Sequence, residues 1–167
     1  MEQRQIVRIS PKFMESYKKF SCGNTDIDNY IKNIAYVDTI GFDAATSLVI
    51  DGEDVVAFFT LNNNYSFDVV DPESNEREKI YAIEIQYLGV HDKYKMKGIG
   101  KQIINYIFDV CRHLNHRYVF LQSVRSAVGY YKKFGFLELE LGNTPEKAVS
   151  MIVDLLDEDL NESYWNQ

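Results

Sequence analysis

The segment Lys95-Met96-Lys97-Gly98-Ile99-Gly100 stands between a strand-like run at 82–90 and an amphipathic helix pattern at 101–114. A strand, a cationic glycine loop and a helix N-terminus, in that order, are typical of a pyrophosphate site. The first N–H groups of the helix point outward, the helix dipole favours an anion, and glycines allow a phosphate to approach closely. Four lysines add positive charge to this loop: Lys93, Lys95, Lys97 and Lys101.

The loop matches neither standard nucleotide fingerprint. It lacks the Gly-Lys-Ser/Thr ending of a P-loop, and Gly98 and Gly100 supply only two of the three glycines of the dinucleotide motif. The sequence therefore predicts a different phosphate-bearing cofactor.

A second motif lies downstream, where the chain reads Ala127-Val128-Gly129-Tyr130-Tyr131-Lys132-Lys133-Phe134-Gly135-Phe136. With this segment the chain resembles the GNAT family of acetyl-CoA-dependent N-acetyltransferases. The family's Gln/Arg-x-x-Gly-x-Gly/Ala loop falls on residues 95–100. Its Ala-x-x-Phe-Tyr-x-x-x-Gly-Phe segment falls on residues 127–136, with Tyr130 in place of Phe. The two motifs occur in the family's order, so the resemblance implies acetyl-CoA as the co-substrate.

The resemblance implies an α/β (α+β) fold with a single GNAT-type domain over residues 1–167. Its sheet is mixed and mostly antiparallel, with about six to seven strands flanked by about four helices, and a splayed parallel pair of strands forms the acetyl-CoA cleft. Residues 157–167 are acidic and polar, and they are expected to be a solvated C-terminal tail.

Local patterns predict the positions of the elements. Strands are expected at 5–9, 47–50, 55–61, 81–90, 118–124, 136–141 and 149–155. Helices are expected from Pro11 to about Phe20, from a Thr25 cap to Ala35, at 101–114 and at 127–134, and residues 68–79 are expected to form a charged loop.

The strand at 81–90 changes phase, because Ile83 and Ile85 fall on one face and Leu88 and Val90 on the other. A one-residue slip of this kind indicates a β-bulge. The resemblance implies that this bulged strand splays from its parallel neighbour at 118–124. The main chain of Leu88, Gly89 and Val90 would then bind pantetheine, with the Leu88 amide as an oxyanion donor. The phosphates would contact the loop residues Lys95, Met96, Lys97, Gly98, Ile99, Gly100 and Lys101.

Two side chains are candidates for catalysis. Tyr131 occupies the position of the family's usual general acid, which protonates the departing thiolate; the alternative is that Tyr130 and Tyr131 are core aromatics. Glu84 is a candidate general base, and it lies 14 residues before Gly98, the spacing of the catalytic glutamate in the histone acetyltransferase branch. The alternative is a glutamate that only faces solvent from a half-buried strand. Residues 62–65 are interpreted as an asparagine-rich turn; the alternative is that they line the acceptor side of the cleft.

Three positions depart from the family pattern. Lys95 replaces the usual Gln or Arg, which keeps a charge but loses bidentate geometry. Met96 stands where many members have Gly. Val124 replaces an Asn, so any coenzyme contact of that Asn is absent unless Ser123 or Ser126 substitutes.

Bulk properties fit one cytoplasmic domain. Hydrophobic residues make up 46 % of the 167 residues, no apolar run approaches a membrane span, and the N-terminus has no signal-peptide pattern. Cys22 and Cys111 are expected to be free, packed thiols, and the chemistry requires no metal. The net charge of −7 argues against broad nucleic-acid binding.

The segment Phe20-Ser21-Cys22-Gly23-Asn24-Thr25-Asp26-Ile27-Asp28-Asn29-Tyr30-Ile31 resembles a pattern of a GNAT subgroup that includes toxins acetylating aminoacyl-tRNA. Those toxins pair with ribbon-helix-helix antitoxins. Three hypotheses stay open: an N-acetyltransferase for a small-molecule, peptide or protein amine, a toxin acetylating aminoacyl-tRNA, and a non-catalytic acetyl-CoA sensor. The charge disfavours tRNA as a partner, and the chain is expected to be a monomer or a homodimer.

Overall fold

The computed structural model describes residues 3–142, 145–156 and 158–166. Across these residues the chain forms seven strands and six α-helices. In chain order they are β1 (Gln5–Arg8), α1 (Met14–Tyr17), α2 (Thr25–Asn33), α3 (Ala35–Ile40), β2 (Ala45–Asp51), β3 (Asp54–Val70), β4 (Arg77–Val90), α4 (Ile99–His113), β5 (Tyr118–Val124), α5 (Val128–Lys132), β6 (Leu137–Glu138), β7 (Ala148–Asp154) and α6 (Glu158–Trp165). One sheet contains all seven strands in the order β1-β2-β3-β4-β5-β7-β6. The β4–β5 pair is parallel and the other pairs are antiparallel, which confirms the predicted fold class.

Different helices cover the two faces of the sheet. On one face, α4 buries the isoleucines that recur at helical spacing along it: Ile99, Ile103, Ile104 and Ile107. Each buried isoleucine contributes roughly 1.5–3 kcal/mol relative to an exposed one. On the opposite face, α2 buries Tyr30 and Ile31 in a second cluster with Phe58 of β3. Both faces of the sheet are therefore covered, and the end of β4 contacts both clusters.

The N-terminal helices differ from the prediction at their caps. The segment after Ser10 begins as a short 3-10 helix at Pro11–Phe13, and the Ser10 side chain makes no capping bond. The predicted Thr25 cap was wrong, because the side chain of Asn24 accepts bonds from the N–H groups of Asp26 and Ile27. An amide oxygen one residue earlier therefore satisfies the helix start. The predicted single helix also divides, so that α3 follows α2 after Ile34.

The prediction of a charged loop at 68–79 was wrong. Strand β3 continues to Val70 and β4 begins at Arg77, so the two strands form a long hairpin. The connection needs only six residues, since Asp71 Oδ1 accepts the N–H groups of Glu73 and Ser74 and closes the turn. The predicted asparagine-rich turn at 62–65 also lies inside β3. Its last residue, Tyr65, stacks on Phe120 with ring centroids 4.2 Å apart, so a buried aromatic contact outweighs the turn propensity of asparagine.

The C-terminal third keeps the predicted order of elements with shorter pieces. The strand predicted at 136–141 pairs only over Leu137–Glu138, and the helix predicted at 127–134 is α5 preceded by a 3-10 turn at Arg125–Ala127. Within the predicted tail, Glu158–Trp165 form α6, while Asp157 and Gln167 lie outside the described residues. None of the described helices combines the length and apolar character that a membrane crossing requires.

Candidate active site

The central feature of the site is an opening between β4 and β5. In the described residues the two strands pair at three positions only, Ile83 with Val119, Glu84 with Phe120 and Ile85 with Leu121. Both strands continue past these pairs, β4 to Val90 and β5 to Val124. The parallel pair therefore diverges into a cleft, and the main chain at the end of β4 lies along one wall.

A β-bulge in β4 produces this divergence. Thr60 of β3 pairs with Tyr87, whereas the next residue, Leu61, pairs with Ile85, so Gln86 is an extra residue on β4. This confirms the bulge predicted from the change of phase. Side chains on either side of a bulge change faces, and Leu88 and Val90 accordingly pack with Ile83 and Ile85 on the α4 face.

The loop after β4 holds two residues with left-handed backbone angles. Met96 has φ +62° and is fully exposed, and Gly98 has φ +75° at the N-cap of α4. A left-handed non-glycine residue is costly by roughly 1–2 kcal/mol, so this loop path is imposed by the rest of the structure. The first N–H groups of α4 have no acceptor within the helix and point out at this loop. A Cβ built at Gly98 meets nothing within 4 Å, so the space beside this N-cap residue is open.

Gly100 is required for a different reason. A Cβ at this position would collide with the hydroxyl of Tyr130, which lies directly against the first turn of α4. Tyr130 also packs edge-on against Phe134, with ring centroids 5.2 Å apart. The sequence motif identified the two glycines but did not separate their surroundings: Gly98 borders open space, and Gly100 leaves room for a tyrosine.

Tyr131 lies on the same face of the sheet as α4, on the helix that follows β5. Its ring contacts Phe136 edge-on at 5.8 Å and packs against the core cluster that also includes Leu88 and Val90. Burial raises the pKa of Tyr131 to about 12, with a further contribution from neighbouring Tyr130. The phenol is therefore protonated at neutral pH and has a proton to donate.

Glu84 lies at the middle of the paired part of β4. Its neighbours Ile83 and Ile85 face α4, so strand alternation directs Glu84 to the opposite face. The amide nitrogen of Asn62, its partner across the β3–β4 pair, donates to Glu84 Oε2 over 3.4 Å. Burial raises the pKa of Glu84, while hydrogen bonds from Asn62 and Gln86 oppose that rise. Tyr131 and Glu84 thus lie on opposite faces of the sheet.

The side chain of Lys95 does not extend over the N-terminus of α4. Its Nζ donates to the carbonyl oxygen of Cys22 at 2.6 Å and pairs with Asp92 Oδ1 at 2.8 Å. By contrast, Lys97 and Lys101 are exposed beside the helix start. Cys22 and Cys111 are both free and buried, and burial raises the pKa of each thiol to about 11. At neutral pH both are thiols, which are poor nucleophiles.

Residues 13–136 match the model of the family described as the Acetyltransferase (GNAT) family. The chain belongs to this family. It is an acetyltransferase, and acetyl-CoA is its co-substrate. The structure fits that ligand: α4 presents free N–H groups and open space for the phosphates, and the splayed strands provide a slot for the pantetheine arm.

Bacterial toxins are among the solved structures that share this fold. One described as a bacterial toxin is 17 % identical, covers 99 % of this chain and 98 % of its own, and has a TM-score of 0.74. A tyrosine-to-phenylalanine mutant of the AtaT toxin is 13 % identical, with coverages of 90 % and 89 % and a TM-score of 0.73. AtaT complexed with acetyl-methionyl-tRNAfMet is 12 % identical, with coverages of 98 % and 99 % and a TM-score of 0.70. At these identities the likeness establishes the fold. The curated protein sequences gave no match.

Proposed function

We propose that the protein transfers the acetyl group of acetyl-CoA to a primary amine, which attacks directly while both substrates are bound. The observation that carries this proposal is the separation of β4 from β5 after Ile85, with the N-terminus of α4 at the open end. The main chain of Leu88, Gly89 and Val90 binds the pantetheine arm by strand-like hydrogen bonds. The Leu88 N–H donates to the acetyl oxygen as negative charge develops there.

The remaining contacts hold the phosphates and move two protons. Main-chain groups of residues 96–101 bind the pyrophosphate, and Lys97 and Lys101 add positive charge. Glu84 removes the proton of the attacking amine, directly or through a water molecule. As the carbon–sulfur bond breaks, the Tyr131 hydroxyl gives its proton to the sulfur and coenzyme A leaves as the thiol.

The pH dependence of turnover tests the role of Glu84. We expect Glu84→Gln to lower kcat by about 10- to 100-fold, because the neutral amide accepts no proton. Glutamate acts as a base only when ionised, so wild-type kcat should fall as the pH drops through the pKa of Glu84, which burial raises. This acid limb should therefore lie above the pH at which an exposed glutamate titrates.

The matched control is Asn62→Ala, which removes the hydrogen bond that opposes the rise in pKa. In Asn62→Ala the acid limb of the kcat–pH profile should shift to higher pH. The profile of Glu84→Gln should have no acid limb. A wild-type acid limb that persists in Glu84→Gln would assign it to another group.

The acceptor has two candidates. The first is a small-molecule, peptide or protein amine, which the acidic chain favours through its net charge of −7. The second is the amino group of an aminoacyl-tRNA, which is supported by the fold shared with AtaT in its acetyl-methionyl-tRNA complex. On the second proposal the partner is an antitoxin, as in the AtaT structure with the C-terminus of AtaR. In either case we place the protein in the cytoplasm.

Transfer of labelled acetyl groups distinguishes these candidates. The purified protein is incubated with acetyl-labelled acetyl-CoA and a cell extract, and RNA, protein and small molecules are then separated. Label in aminoacyl-tRNA would establish the toxin, whereas label in proteins or metabolites would establish the first candidate. Tight acetyl-CoA binding without transfer to any fraction would replace the proposal by a non-catalytic sensor.

A further inference from the structure

The contacts of Lys95 separate it from the other lysines of the loop. Its Nζ donates a hydrogen bond to the carbonyl oxygen of Cys22 at 2.6 Å and forms an ion pair with Asp92 Oδ1 at 2.8 Å. Cys22 belongs to the segment 21–23, and Asp92 contacts the same segment through Ser21. A short charge-assisted bond to a main-chain carbonyl fixes the position of that carbonyl. Lys95 therefore connects the coenzyme loop to a segment 73 residues earlier in the chain.

The segment 21–23 is joined to the loop by two further bonds. The Asp92 N–H donates to the Ser21 carbonyl at 2.8 Å, and the Ser21 hydroxyl donates to Asp92 Oδ2 at 3.1 Å. Asp92 is thus shared between Ser21 and Lys95. Gly23 has φ +83°, and a Cβ there would lie 3.4 Å from Lys95 Nζ. Glycine at this position meets both the backbone angle and the close approach of the lysine.

The same segment begins α2. The Cys22 N–H donates to Asp28 Oδ1 at 2.9 Å, and Asn24 caps the helix. Ile27, in the first turns of α2, lies so close to Gly89 that a Cβ on Gly89 would approach it at 2.9 Å. Helix α2 therefore touches the coenzyme site twice, through Lys95 at the phosphate loop and through Ile27 at the strand proposed to bind pantetheine.

Helix α2 also faces the side of the sheet to which Glu84 is directed. Tyr30 of α2 stacks on Tyr87 of β4 with ring centroids 3.8 Å apart and nearly parallel planes. Tyr87 lies next to the bulge, on the face opposite α4, and packs with the cluster that α2 buries. A change in the position of α2 would therefore move Tyr87, which lies three residues after the proposed general base Glu84 on β4.

We propose that Lys95 is a positioning residue that couples coenzyme binding to the acceptor side of the cleft, by fixing the start of α2 to the phosphate loop. This inference rests on the proposed function, because it assigns Glu84 and α2 to the acceptor side. Coenzyme bound at the loop stabilises the contacts of Lys95 and Asp92 with residues 21–23, so that α2 presents a fixed wall to the acceptor. The Lys95 side chain is not itself a phosphate ligand.

Hydrogen exchange with and without coenzyme A tests the coupling without a known acceptor. In the wild type, we expect coenzyme A to slow exchange in the peptide 20–31 as well as in the loop 95–101. In Lys95→Met the loop should still be protected, but the protection of 20–31 should be lost. Coenzyme A affinity, measured by calorimetry, should change by less than about threefold, whereas Lys97→Met in the same loop should weaken it by about tenfold, or about 1.4 kcal/mol.

Lys95→Arg is the conservative variant, and it should restore protection of 20–31 because it keeps the charge and a donor. A loss of coenzyme affinity in Lys95→Met as large as in Lys97→Met would overturn the proposal and make Lys95 a phosphate ligand. Equal protection of 20–31 in wild type and Lys95→Met would also overturn it. If wild-type protein bound no coenzyme A at all, the proposed function itself would fail, which is a separate and recognisable result.

Discussion

Replacing Tyr131 by Phe should lower kcat by about 10²- to 10³-fold while leaving the Kd for acetyl-CoA within about twofold of the wild-type value. The substitution removes only the hydroxyl, so the ring contacts with Tyr130 and Phe136 stay. Without the phenol, the departing thiolate must take its proton from water. Since burial raises the pKa of Tyr131 to about 12, the wild-type acid is protonated throughout the neutral range. Its titration should therefore produce no fall in kcat between pH 7 and 9.

The adjacent tyrosine supplies the matched control. Tyr130→Phe removes the same hydroxyl from the neighbouring residue and creates the residue that the family motif has at this position. Tyr130 contacts the first turn of α4 and packs against Phe134, so its loss is expected to change kcat by less than about threefold. Steady-state rates of the two variants at saturating acetyl-CoA make the comparison. Equal kcat for Tyr131→Phe and wild type would remove Tyr131 from the mechanism and leave it as a core aromatic.

The sequence predicted the elements around the coenzyme cleft because each depends on local chemistry. Gly98 and the lysines mark the start of α4, where phosphate binding is proposed, and the change of phase between Ile85 and Leu88 marks the bulge. The strand at Tyr118–Val124 was predicted with its observed ends, since an apolar run between a helix end and a motif leaves little freedom. Periodicity and turn chemistry act over a few residues, and sequence alone carries both.

Long-range contacts escaped the prediction. Nothing near Lys95 in the sequence indicates that its ammonium group reaches Cys22, and the charge alone favoured a phosphate contact. The turn predicted at 62–65 was also wrong because of a long-range contact. Tyr65 stacks on Phe120 of β5, and this contact favours a strand through asparagines that otherwise favour turns. Tertiary packing overrode local propensity at both places.

Replacing Gly98 by Asp should abolish measurable binding of acetyl-CoA while the fold persists. Gly98 has φ +75°, and a Cβ there meets nothing within 4 Å, so a side chain fits in space but projects into the proposed phosphate site. Two like charges about 5 Å apart repel by about 3 kcal/mol at an effective dielectric of about 20, and the pyrophosphate brings more than one charge. Because about 1.4 kcal/mol corresponds to a tenfold change, affinity should fall by more than about a hundredfold.

The control for this substitution is Gly98→Asn, which has nearly the same shape without the charge. Asp and Asn are the non-glycine residues that best tolerate left-handed angles, so both variants carry a similar backbone cost of roughly 1 kcal/mol and should unfold at similar temperatures. Calorimetry should then find weakened but measurable binding in Gly98→Asn and none in Gly98→Asp. The difference between the two variants measures repulsion alone. Unchanged affinity in Gly98→Asp would show that the phosphates lie away from the start of α4, and the cleft between β4 and β5 would then need a different entry for the coenzyme.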